Sequence, residues 1–112
     1  MATITTHESA DGLFRFEILR SDDGDVTLGF EGFPWHTHGD LLVGIYGPSQ
    51  EAAIEQFVDD LLHNRSIIAV HRQGGMISDV CITHDPQADL RYKLDNESIE
   101  FRHWDGSPCL TD

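Results

Sequence analysis

One stretch restricts the possible folds more than any other: Ser49 to His63, SQEAAIEQFVDDLLH. Ile54, Phe57, Val58, Leu61 and Leu62 recur at i, i+3, i+4, i+7 and i+8, the spacing of one face of an α-helix. Gly47-Pro48-Ser49 precedes it, and Ser49 suits the N-cap, where its hydroxyl accepts from an N–H that the helix leaves unpaired. Asn64 suits the stop, because Asn tolerates the left-handed backbone past a helix end. A helix of about 49–63 with a single apolar stripe must bury that stripe against another layer.

The rest of the chain supplies that layer as strands. ATITTH at residues 2–7 is β-compatible. From Leu13 to Arg20, Phe14, Phe16 and Ile18 alternate with Arg15 and Glu17, and Val26, Leu28 and Phe30 alternate with Thr27, Gly29 and Glu31. Ser21-Asp22-Asp23-Gly24-Asp25 joins these two runs as a hairpin loop. Beyond the helix, residues 66–73 and 76–83 read as partners across Gly74-Gly75. Asp85 to Asp89 reads as a loop. Leu90, Tyr92 and Leu94, then Ile99, Phe101 and His103, read as a last hairpin around Asp95-Asn96-Glu97. Short hairpins with one helix among them predict an α+β fold in two layers: an antiparallel sheet of about six to seven strands on one central amphipathic helix. A chain of 112 residues is expected to form one domain over 1–112, with residues 1–8 and 105–112 free to fray.

Charge excludes some partners. Seven Lys and Arg against twenty Asp and Glu give −13, which disfavours phosphate backbones and anionic membranes alike. No run approaches the length of a transmembrane helix, and Met1 to Thr6 lacks the basic and apolar regions of a secretory leader. Cys81 and Cys109 are far apart and outside any CxxC motif. A reducing, cytoplasmic setting is therefore expected, with Cys81 as a small core residue.

Three groups of side chains invite a chemical reading. On an extended strand His36, His38 and Asp40 would point the same way, and two imidazoles with a carboxylate suit a divalent transition metal such as Zn. Against this, Gly39 weakens the strand, and His-x-His pairs are common in polar loops. The second group is acidic: Glu51, Glu55 and Asp59 form a row on the wet side of the helix, with Asp60 beside them. Like charges at i, i+4 cost a few tenths of a kcal/mol, and acids near a helix C-terminus oppose its dipole. The third is aromatic: Phe33, Trp35 and Trp104 could form an exposed anchor patch or plug the open end of the sheet, with plugging favoured for Phe33 and Trp35 open to either.

GxSxG, a phosphate loop and any cysteine with a catalytic neighbourhood are absent from the sequence. The sequence thus favours a small acidic, non-catalytic binding or regulatory protein without a cofactor, akin in size and charge to inhibitors and immunity proteins. Glu51, Glu55, Asp59, Asp60 and Trp35 would meet a basic protein partner. The alternatives are a metal-binding protein or small metal-dependent enzyme using His36, His38 and Asp40, and a homodimer subunit pairing through an open sheet edge.

Overall fold

Alternating apolar residues set the first layer. In the computed structural model, which describes residues 3–109, β1 (Thr3–Glu8), β2 (Arg15–Arg20), β3 (Val26–Phe30) and β4 (His36–His38) form one antiparallel sheet in chain order. Phe16 lies opposite Phe30 and Ile18 opposite Leu28. These four side chains are buried, while Arg15 and Leu19, on the other face of β2, are exposed. β1 is paired along its whole length, Thr3 with Arg20 through Glu8 with Arg15. Ala2, the expected start of that strand, and residues 110–112 lie outside the described residues.

The second layer is α1, Gln50–Leu62. It starts as its sequence specifies: the Ser49 hydroxyl accepts from the Ala52 N–H at 3.3 Å. It ends where Asn64 turns left-handed at φ 63°. Ile54, Phe57 and Leu61 are buried, whereas Val58 and Leu62 sit half-buried at the edge of the same core. The Phe57 ring packs 6.1 Å from Phe16 and 5.0 Å from Tyr46.

Between β4 and α1 the chain makes a 3-10 turn, Gly39–Leu42, and a further tight turn closed by a bridge between Val43 and Gly47. A Cβ on Gly47 would stand 2.8 Å from the Ala53 nitrogen and 3.0 Å from the Ala52 carbonyl carbon. Glycine is what lets this loop lie directly on the helix backbone.

After α1, β5 (Ile67–Gln73) and β6 (Met76–Thr83) pair across Gly74-Gly75, and β7 (Glu97–Arg102) joins the other side of β5, giving the order β6-β5-β7. Ile68, Val70, Val80 and Ile82 share one buried cluster with the first sheet and α1. The fold is therefore α+β with seven strands as expected, divided into sheets of four and three. Phe33 packs against this core and Trp104 is buried in it.

The segment from Asp85 departs from expectation. It is not a loop followed by a strand but a second short helix, α2 (Pro86–Arg91). The Asp85 side chain caps it, accepting from Ala88 N–H at 3.2 Å, and Pro86 stands in the first turn, where a missing N–H costs nothing. Leu90, Tyr92 and Leu94 remain exposed, and the expected hairpin between them and β7 does not form.

Candidate functional site

Helix geometry splits the expected acidic row. Glu51, Glu55 and Asp59 follow one flank of α1, but Asp60 lies about 100° round from Asp59 and lines a cavity with Tyr46, Ile82 and His84. Arg65 then ties the two flanks together. Its Nε donates to Asp60 Oδ1 at 2.8 Å and its Nη2 donates to Asp59 Oδ2. Asp60 also accepts from Gln56 Nε2 at 2.8 Å, and Asp59 lies 3.1 Å from His63 Nδ1. The chain turns back after Asn64 and brings Arg65 against the last turn, where a cation also suits the helix dipole. Glu51 and Glu55 stay exposed, without a side-chain partner among the described residues.

The loop between β2 and β3 extends that unpaired pair of acids. Gln50 Nε2 donates to the Gly24 carbonyl at 3.4 Å, which sets Asp22, Asp23 and Asp25 beside the start of α1. Asp23 accepts from Ser21 Oγ and from the Asp25 N–H, and these bonds hold its carboxyl below the usual range. Across a shallow depression of about 280 Å³, Arg20 faces Glu51 and Glu55. Asp22, Asp23 and Asp25 were not singled out from the sequence; their proximity to the helix depends on a contact 26 residues apart along the chain.

The His36–His38–Asp40 arrangement does not form as the sequence suggested. β4 ends at His38, and Gly39 opens the 3-10 turn that carries Asp40 away. A Cβ at Gly39 would meet Ile54 and Gln50 of α1 at 2.8 and 2.9 Å, so the chain turns here to seat itself on the helix. The two histidines do share a face, with ring centroids 5.1 Å apart. His36 Nδ1 lies 3.1 Å from the Pro34 carbonyl oxygen and His38 Nδ1 3.5 Å from Asp25 Oδ1. Among the described residues no three His, Cys, Asp or Glu side chains are grouped to hold a metal ion.

Trp35 is half-buried and joined to the core, its ring centroid 6.2 Å from that of Phe30, and its backbone N–H donates to Asp79 Oδ1 of β6 at 3.2 Å. It walls a cavity of about 220 Å³ with Leu41, Ile45, Tyr46 and Phe57. At the cavity edge, Tyr46 Oη and His84 Nε2 stand 3.1 Å apart. Burial, then the nearby Asp60 charge, push the Tyr46 hydroxyl above its usual pKa, so it stays a neutral phenol.

A further set went unnoticed in the sequence. Cys81 Sγ lies 3.7 Å from His71 Nε2, and His71 Nδ1 lies 3.4 Å from Glu97 Oε2. The order is that of a nucleophile, a base and an orienting carboxylate. The electrostatics run the other way: burial, with help from Asp89 and Asp79, pushes the Cys81 thiol up to about 12. A thiol so placed is a poor nucleophile at neutral pH. No sequence spacing announces the trio, because a β-bulge between His71 and Arg72 decides which face His71 occupies.

No helix among the described residues is long and apolar enough to cross a membrane. Comparison with protein-family models, with curated proteins and with solved structures gives no match.

Proposed function

We propose that this chain is a small acidic, non-catalytic binding or regulatory protein, of the inhibitor or immunity kind, that engages a basic protein partner. One observation carries the reading. Glu51 and Glu55 stand exposed and, among the described residues, unpaired on one flank of α1 beside the acidic loop Asp22–Asp25, while Arg65, the first arginine after the helix, is spent on Asp59 and Asp60. Such a surface raises the local concentration of a cationic partner and speeds its docking, an effect that salt weakens. Asp59 and Asp60 contribute field more than contact, since Arg65 already occupies them.

The test is capture of proteins from a cell extract on immobilised wild-type chain and on Glu51→Lys/Glu55→Lys. The reading expects one or more basic proteins retained by the wild type at low salt, released as salt rises, and lost on the double variant. Equal recovery on both, or a retained partner that is itself acidic, would sink it.

A further inference from the structure

The loop between β4 and α1 carries large aliphatic side chains that the fold does not use. Leu41 is 62 %, Val43 41 % and Ile45 72 % exposed. Three such residues at alternate positions of one loop are not the scattered exposure usual on a protein surface. The loop is also tightly held. Ile45 N–H and Tyr46 N–H both donate to the Leu42 carbonyl, at 3.2 and 3.0 Å, and Gly44 N–H donates to the Gly47 carbonyl at 2.8 Å. Gly47 in turn lies against Ala52 and Ala53. The backbone therefore presents these side chains in a fixed arrangement, and a partner that covers them has little ordering left to do.

Beside them opens the cavity of about 220 Å³ walled by Trp35, Tyr46 and Phe57. It is smaller than the roughly 300–1,000 Å³ typical of small-molecule sites and of a size to take a side chain. Aromatic walls rimmed by exposed aliphatics are the surroundings in which interface anchors concentrate.

We infer that the Leu41–Tyr46 loop and this cavity form the anchor site for the basic partner proposed above, receiving an aliphatic or aromatic side chain flanked by Lys or Arg. The inference rests on that reading of the partner, and charge complementarity selects the occupant. Asp40 is exposed next to Leu41, whereas Asp60 in the adjoining cavity beyond Tyr46 is already paired with Arg65, so the local charge on the loop is that of Asp40. A second copy would bring a further −13 against the −13 already present. The loop meets α1 on the flank away from Glu51 and Glu55, so the two surfaces are separable by mutation: the acids attract, the loop anchors.

The experiment is selection of a random dodecamer peptide library on the wild-type chain at physiological salt, with Leu41→Asp/Ile45→Asp as counter-selector. Affinities are then read by fluorescence anisotropy. Circular dichroism and urea midpoints check folding, which such exposed positions leave intact. The inference expects enriched peptides with an aliphatic or aromatic residue among Lys or Arg, bound at least about tenfold more weakly by the double variant, as for a hot-spot contact. No enrichment over the counter-selector, or equal affinity for both chains, overturns it. Basic peptides lost only on Glu51→Lys/Glu55→Lys would overturn the loop while leaving the acidic reading standing. Uncharged apolar peptides that need Ile45 would overturn the basic occupant, as would a concentration-dependent dimer in sedimentation that Leu41→Asp/Ile45→Asp dissolves.

Discussion

Truncating Asp11 should expose how the last strand is fastened to the first sheet. Arg102 of β7 is buried, its side chain only 6 % exposed, and its Nη2 donates to Asp11 Oδ2 at 2.7 Å. Nε donates to the His103 carbonyl at 3.3 Å, and the guanidinium lies 4.9 Å from the centre of the Phe14 ring. Asp11 also accepts from Ser9 Oγ at 2.7 Å and from the Leu13 N–H at 3.1 Å. Stripping the partner from a fully buried charge costs about 3–5 kcal/mol. Here the Asp11 side chain is 39 % exposed, so water can enter in its place. That moves the expectation toward the roughly 1.5–3 kcal/mol of a hydrogen bond to a charged group. Asp11→Ala should therefore lose about 2–3 kcal/mol, and Asp11→Asn, which keeps an acceptor, about 1 kcal/mol.

The pH dependence gives an independent check. The bonds from Ser9 and then Arg102 hold the Asp11 carboxyl down to about 2, against an ordinary 3.8. A carboxylate with a depressed folded pKa stabilises the fold above its unfolded pKa, and that stabilisation disappears as pH falls toward the folded pKa. Screening at a partly exposed group leaves on the order of 1 kcal/mol. The gap between wild type and Asp11→Asn should be constant at neutral pH and should shrink between about pH 4 and 2. Urea unfolding followed by tryptophan fluorescence reads both effects, since Trp104 is buried two residues beyond Arg102. Asp11→Ala within about 0.5 kcal/mol of wild type, the range of neutral surface changes, would refute the reasoning. A gap unchanged down to pH 2.5 would refute the titration.

Two further outcomes follow from the core. Phe57 is 2 % exposed between the Phe16 and Tyr46 rings, so Phe57→Ala should cost about 3–5 kcal/mol in denaturant unfolding. A loss under about 1 kcal/mol would mean that α1 is not seated on the sheet as described. Cys81, its thiol pushed up to about 12, should alkylate at pH 8 on the order of 10³-fold more slowly than a free cysteine derivative. Peptide mass spectrometry after a timed iodoacetamide pulse measures this, and a rate near the free thiol's would show that His71 stabilises the thiolate after all.

What the sequence disclosed and what it hid divide along chain separation. α1 was legible nearly to the residue, because its stripe, its Ser49 cap and its Asn64 stop are all local. β2 and β3 were legible from alternation, and β5 and β6 as runs flanking the Gly74-Gly75 turn. α2 is an exception, since its signal is local: Asp85-Pro86 is a cap and first-turn pair, while the alternation of Leu90, Tyr92 and Leu94 just beyond it mimics a strand. The pairing of β7 with β5, and hence the division into two sheets, has no local signature. The Cys81–His71 contact is hidden more deeply. With the two-residue turn pairing Gln73 with Met76 and Arg72 with Ile77, regular register would set His71 opposite Ser78 and turn Cys81 to the other face; the bulge shifts the partner to Asp79 and brings the two together.

The same division bears on function. In the sequence the apparent conflict was the acid at the end of α1, where stability would call for a cation. The fold supplies that cation in Arg65 and removes the conflict at Asp59 and Asp60. Glu51 is in the first turn, where the helix dipole favours it, so only the modest Glu51–Glu55 repulsion is left, a few tenths of a kcal/mol. Leu41, Val43 and Ile45 are harder to explain by stability, since polar residues at those exposed positions would leave the backbone bonds of the loop untouched. A rigid loop that keeps aliphatic groups in water beside an aromatic cavity makes physical sense when another molecule removes them from water. The weight of the binding proposal therefore falls on this loop at least as much as on the acids that first suggested it.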